Sequence, residues 1–500
     1  LRYYRPDYQE DESTVAQMNS EAVTVESANL YPQAGSEHSL AHNQLRFIRT
    51  VALSVGIQGP VAGVIVGPAI LASLVGGSGA LVYSLGLVAM SFVAYAFVIF
   101  ARSFNSSGSV YAFNSAALGP TYGFVSAWIL LLVYLSFAAA VYASTADIAQ
   151  TLAASYGFNI GWVWFALAGF VVTMIFAYRS IRVTTIAIFA VEGIAVVLLA
   201  IVGAAVLFHG GYHHHAASSS PFQLHGLALG ALGIGVVNAF GAFSGFEGAA
   251  TLGEESTAPT KTIPRAIGWS LVGSAGIYIL FTWIADNAYA TPHALAVDPA
   301  PFVHLANVYV GSAMGKLVNA AGVISAFGAQ LACVVAANRL IFALGRDVGS
   351  DHRWGRPLLT RTHPRYGSPI GALLISGIVT LATLLAFAFE PTAIRALILI
   401  VQLGAYLIIV AYFMTVVAAA VWVFRHVRKV VPMLILSMGI VVLGVVLYDT
   451  FHPFPPAPFS WIVLTAGLSI VVGVIIARLP NVRDNLKRSP LLRAVARSSN

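Results

Sequence analysis

The stretch NAFGAFSGFEG, residues 238–248, places three glycines and a carboxylate inside a long apolar run. A carboxylate in such surroundings costs roughly 2.5–3.5 kcal/mol to insert into a bilayer, so Glu247 must face protein or water. Chemically it can hold a proton, accept hydrogen bonds or attract a cation. A second acid, Glu192, sits in another apolar run, RSIRVTTIAIFAVEGIAVV at 179–197. For both, a structural tie to neighbouring helices is the alternative to a chemical role. A third cluster, Glu254, Glu255, Lys261 and Arg265, follows Glu247 directly and offers ion pairs. His213, His214 and His215 are adjacent, without the spacing of a structural metal site, and no metal is expected.

The elements that must position these groups are membrane helices. The chain is 58% hydrophobic and only 9% charged, with mean hydropathy +0.82. Soluble domains carry about 25% charged residues. The charges lie in short segments between apolar runs of helical, not strand, length, which points to an all-α polytopic membrane protein. Twelve spans are expected, near 47–72, 79–101, 122–150, 160–178, 183–208, 226–250, 265–288, 308–340, 368–389, 393–420, 431–449 and 459–478. With the N-terminus inside, 24 of the 26 Lys and Arg residues fall on the cytoplasmic side. This bias places both termini in the cytoplasm. It also accounts for the net charge of +7 without nucleic acid as a partner. Residues 1–45 are polar, lack an apolar signal-peptide core and read as a disordered cytoplasmic tail. Residues 46–480 form one membrane domain, and 481–500 a basic cytoplasmic tail. A lone Cys333 excludes an intramolecular disulfide.

Two spans carry breaks. Span 1 reads VALSVGIQGPVAGVIVGPAI (51–70), where Pro60 lacks an amide donor and Gly59 and Gly63 flank it. Span 6 carries the opening stretch. Backbone groups freed by a break cannot face lipid. Two breaks five spans apart are what an inverted 5+5 repeat with discontinuous helices 1 and 6 predicts, with repeat one at about 47–208, repeat two at about 226–420 and spans 11–12 appended at about 431–478. A half-helix N-terminus suits a carboxylate, and a half-helix C-terminus suits an ammonium group. Kinked helices packed through small residues are the alternative.

FSGFEGAATLGEESTAPTKTIPRAI (243–267), NRLIFALGRD (338–347) and HPRYGSPI (363–370) resemble the span 6 and span 8–9 motifs of the amino acid–polyamine–organocation permeases, which have the LeuT-type fold. The likeness covers about residues 45–480. It implies a substrate site formed by Gln58, Gly59, Val61, Ala62 and Gly63 of span 1 and by Asn238, Phe240, Gly241 and Phe243 of span 6. By the resemblance, span 1 amides would take the substrate carboxylate and span 6 carbonyls its ammonium. The family's GSG-like motif falls on Val61–Gly63, and only Gly63 matches, which weakens the case for an ordinary alpha-amino acid and leaves room for an amine, an amino alcohol or an unusual amino acid. A lysine that many relatives carry in span 5 falls near Ala195 here. Glu247 matches an acidic coupling position, and Glu254, Glu255, Lys261 and Arg265 would form an inner gate with Arg102 or Arg339.

The expected function is secondary transport of a small amino acid or amine across the inner (cytoplasmic) membrane. Proton coupling is the leading mode, and exchange of amino acid for amine is the alternative. The chain is expected to work in the lipid bilayer as a monomer or homodimer. No nucleotide-binding or hydrolase motif occurs, so no enzyme activity and no cofactor beyond the proton are expected. A membrane nutrient sensor is the competing class, but tails of this length leave no room for a folded signalling domain.

Overall fold

The computed structural model describes residues 45–103, 108–179, 181–211, 217–349, 356–452 and 454–488. The histidine triplet, most of the N-terminal tail and residues 489–500 lie outside them. The described residues are almost entirely helical, with no strand among them. The helices are α1 (Phe47–Gln58), α2 (Pro60–Val75), α3 (Gly79–Ser103), α4 (Val110–Leu118), α5 (Pro120–Ala154), α6 (Trp162–Tyr178), α7 (Ile181–Phe208) and α8 (Leu229–Phe243). A 3₁₀ segment, Phe246–Glu255, follows α8. The chain continues with α9 (Pro259–Ala288), α10 (Ser312–Val348), α11 (Ile370–Ala386), α12 (Ala393–Trp422), α13 (Val430–Phe451), α14 (Phe459–Arg478) and α15 (Pro480–Arg488). Short helices at Pro292–Ala296, Pro301–Tyr309 and Arg356–Leu359 lie between them.

Ten segments are long and apolar enough to cross a membrane, counting α1 with α2 and α8 with its 3₁₀ extension. Two shorter apolar helices, α6 and α11, fall where spans 4 and 9 are expected. Burial separates inner from outer helices. The apolar window of α5 is 83% buried, whereas that of α14 is 11% buried. α5 packs along α10 and α12 to form the centre, and α9 packs along α3 beside it. On α13 and α14 large apolar side chains such as Val441, Tyr448, Trp461 and Leu468 face outward, as lipid contact requires. Two features depart from the sequence reading. The nine-residue α4, too short to register as a span, is buried on nearly every residue. The tail expected from residue 481 begins as α15, held by Leu486 packed into the core and by Asn485 Nδ2 donating to Val348 O at 3.1 Å.

Both breaks are where the chain leaves helical geometry. Gly59 adopts φ +48°, ψ +52°, which ends α1, and Pro60 then opens α2 from its first position, where a missing N–H costs nothing. α8 ends at Phe243, and Gly245 at φ +114° turns the chain into the 3₁₀ segment. A Cβ on Gly245 would stand 2.8 Å from Ile57 Cβ, so the two breaks touch at this residue. Gly245→Ala should therefore lose roughly 2–5 kcal/mol, from left-handed strain together with overpacking. Gly241→Ala is the control. Its Cβ would meet nothing within 4 Å and its backbone is helical, so a small gain is expected. Thermal unfolding of the two variants in detergent checks the contrast.

Candidate functional site at the paired breaks

The breaks are laced to each other. Gln58, the last residue of α1, donates from Nε2 to Phe243 O, the last carbonyl of α8, at 3.0 Å. Its own Oε1 accepts from Ser274 Oγ at 2.8 Å, and its backbone carbonyl accepts from Tyr278 OH at 3.2 Å, both on α9. Further along, Ser54 Oγ donates to Phe246 O at 2.9 Å and accepts from Ala249 N at 2.8 Å. Leu45 pairs with the strand-like residues after the 3₁₀ segment: its N–H donates to Glu255 O, and Thr257 N donates back to Leu45 O. α1 and the 3₁₀ segment thus form one hydrogen-bonded unit.

The start of α2 meets α7 and α10. Val61 N donates to Glu192 Oε1 at 3.1 Å, and Ala62 N donates to Ser325 Oγ at 3.2 Å. Ser325 Oγ in turn donates to Glu192 Oε2 at 2.7 Å. Gly63 stands against the ring of Tyr278. The expected span 1 residues and Glu192 are therefore gathered in one place, and Ser325 joins them.

In span 6 the expected residues differ in contacts and exposure. Phe243 O is already taken by Gln58. Phe240 and Phe243 are fully buried in this conformation. Phe243 packs with Tyr83 and Tyr278, ring centroids 5.2–5.8 Å apart. Asn238 and Gly241 are half-buried, and Gly241 borders open space.

Glu247 is wholly buried at the far side of the break. Its Oε1 accepts from Tyr134 OH of α5 at 3.1 Å. Its Oε2 accepts from Tyr412 OH of α12 at 2.6 Å and from Gly245 N at 2.9 Å. Among the described residues no Lys or Arg forms an ion pair with Glu247 or Glu192. These carboxylates are held by dipoles, not by counter-charges.

At the arginine-rich end, the ion pairs come from α10. Arg339 Nε meets Glu255 Oε2 at 2.7 Å and Nη2 meets Oε1 at 3.2 Å, with both side chains almost fully buried. Arg346 Nη1 reaches both oxygens of Glu254 at 3.0 Å. Of the two expected gate partners, Arg339 is engaged and Arg102 is exposed. Lys261 and Arg265 are exposed too, and neither forms an ion pair among the described residues. They lie one helical turn apart on an exposed face of α9.

Sequence reasoning passed over Tyr134, Tyr412, Ser325, Ser274, Tyr278 and Ser54, single hydroxyls in apolar runs with no local signature. It also passed over Asp286, which lines a cavity of about 290 Å³ with Ser218, His225 and Asn287. An apolar groove of about 630 Å³ runs between α6 and α11. Neither is lined by the break residues.

Comparison with known proteins identifies the family. The family model described as "Amino acid permease" matches residues 45–487. An uncharacterised transporter of Mycobacterium tuberculosis is 30% identical over 323 residues, covering 62% of this chain and 67% of the relative. The branched-chain amino acid permease of Bacillus subtilis is 26% identical over 349 residues, covering 64% and 70%. The low-affinity putrescine importer of Escherichia coli is 27% identical over 323 residues, covering 63% and 68%. These relatives are transporters, not enzymes. With a family match across nearly all its described residues and a helical membrane fold to carry it, the chain belongs to the amino acid permease family.

Proposed function

We propose that the protein carries an amino acid or amine across the cytoplasmic membrane by proton-coupled secondary transport. The observation that supports this reading best is the pair of laced breaks, each with a buried carboxylate that has no basic partner among the described residues. A carboxylate held only by hydroxyls and amides can take up and release a proton without breaking an ion pair. Glu247 ties the moving break to α5 and α12, so its proton would be linked to the position of the break. In this reading α1–α2 and α8 with its 3₁₀ segment are the equivalent first helices of two inverted five-span repeats within twelve spans. The arginine-rich end faces the cytoplasm, as the positive-inside rule requires. It is closed by Arg339–Glu255 and Arg346–Glu254 as an inner gate. The printed substrates of the relatives, branched-chain amino acids and putrescine, bracket the substrate class.

Purified protein in liposomes tests the proposal. A radiolabelled panel of amino acids and amines should show uptake above equilibrium only with an inward proton gradient. Uptake that ignores the gradient but requires internal substrate would replace symport by exchange. Neither uptake nor exchange of any panel member would end the transport reading.

A further inference from the structure

The donors at the start of α2 can be counted, and all of them are taken. Pro60 has no N–H. Val61 N is bound to Glu192 Oε1 and Ala62 N to Ser325 Oγ. Gly63 N donates to Gly59 O at 2.9 Å. The first turn of a helix is a ready anion site because its N–H groups lack intrahelical partners. Here the anion is the chain's own carboxylate, positioned from α7 and locked by the 2.7 Å hydrogen bond from Ser325.

We propose that Glu192 occupies the place a ligand carboxylate would take at the paired breaks, and thereby selects an amine that bears no carboxylate. The proposal rests on the transport reading above and narrows its substrate class. Three observations carry it. No N–H remains at this helix start for a second anion. Glu192 has no Lys or Arg in ion pair with it among the described residues, so its charge is left to attract a cation. The neighbouring wall is aromatic. Tyr278 lies against Gly63, and the Tyr83, Tyr278 and Phe243 rings cluster within 6 Å of one another; they are buried in this conformation, and ring faces uncovered when the breaks open would favour an ammonium group and its alkyl chain. A ligand carboxylate would have to expel Glu192 or sit beside it, like charge against like charge. An amine meets an attractive carboxylate and needs no backbone donor. Pro60 and the Val61 side chain serve the same end: one removes a donor, and the other fills room that a carboxylate would need.

The test is equilibrium binding to the purified full-length protein with matched probe pairs: ornithine and putrescine, arginine and agmatine, leucine and isopentylamine. The wild type should bind the amine of at least one pair tenfold or more tightly than its amino acid. Glu192→Gln, which keeps the shape and the acceptor for Val61 N, should weaken that amine by tenfold or more. Glu192→Ala, which uncovers the Val61 amide, should narrow the preference toward the amino acid. Thermal unfolding monitors folding, and if Glu192→Ala does not fold, the wild-type ratio and Glu192→Gln decide. A wild type that binds the amino acid as tightly as the amine in every pair it recognises overturns the assignment of Glu192 and leaves the transport reading intact. Binding of no member of any pair, together with no uptake, overturns both.

Discussion

Glu247→Gln is expected to collapse gradient-driven accumulation to the equilibrium level while counterflow exchange persists. The reason lies in what the carboxylate holds. Two tyrosine hydroxyls from α5 and α12 and the Gly245 amide converge on it. A hydrogen bond to a charged group contributes about 1.5–3 kcal/mol, so an ionised Glu247 resists leaving this cradle as the break moves. A neutral side chain leaves at lower cost. A glutamine is permanently neutral and nearly the same shape, so it removes the dependence on the proton without removing the pathway. Glu247→Ala should behave differently. It orphans the two buried hydroxyls and the amide, each at about 1–3 kcal/mol, and should unfold at visibly lower temperature. Proteoliposome accumulation ratios and counterflow rates, with thermal unfolding alongside, separate the two effects. A Glu247→Gln protein that still accumulates substrate against its gradient removes the coupling role.

Much of the scaffold is legible in the sequence because the bilayer constrains it so strongly. Apolar run length locates the helices to within eight residues at either end. Gly59–Pro60 and the glycines of NAFGAFSGFEG announce the breaks, since proline removes a donor and glycine tolerates left-handed backbone. The expected link between the GEES acids and Arg339 also follows from simple charge placement. What was hidden is tertiary. Tyr134 and Tyr412 stand 113 and 165 residues from Glu247 along the chain, and each is one aromatic among many in an apolar helix. Nothing local distinguishes them from packing residues. The sequence reading turns Gln58 toward substrate; in this conformation its amide staples Phe243 O, because a side chain at a helix end has several carbonyls within reach. Lys261 and Arg265 share a sequence neighbourhood with Glu254 and Glu255. The start of α9 at Pro259 turns them to the outer face, a rotation that charge spacing alone does not reveal. Ser325 was overlooked for the same reason as the tyrosines, although it completes the Glu192 cradle.

Arg339→Ala should be the most destabilising single change at the arginine-rich end. Glu255 is 1% exposed, and its carboxylate would lose both guanidinium hydrogen bonds with no water to replace them. Breaking a buried pair from one side typically costs 3–5 kcal/mol. Removing both charges together is often close to neutral, so Arg339→Met with Glu255→Gln should recover most of that loss. The recovered protein should still differ from the wild type in one respect. Arg339 fastens the unit made of α1 and the 3₁₀ segment to α10, so without the pair that unit parts from α10 more often. The single cysteine is a native reporter of that parting. Cys333 lies on α10, fully buried and within electrostatic reach of Glu247. In the wild type it should react slowly with a polar thiol reagent. In the double variant the rate should rise tenfold or more, at unchanged unfolding temperature within a few degrees. An unchanged labelling rate in a stable double variant would reduce the pair to a structural tie. A raised rate that substrate suppresses would instead mark the pair as a latch whose release belongs to the transport cycle, because only a ligand that binds one state better than the other can shift the balance between them.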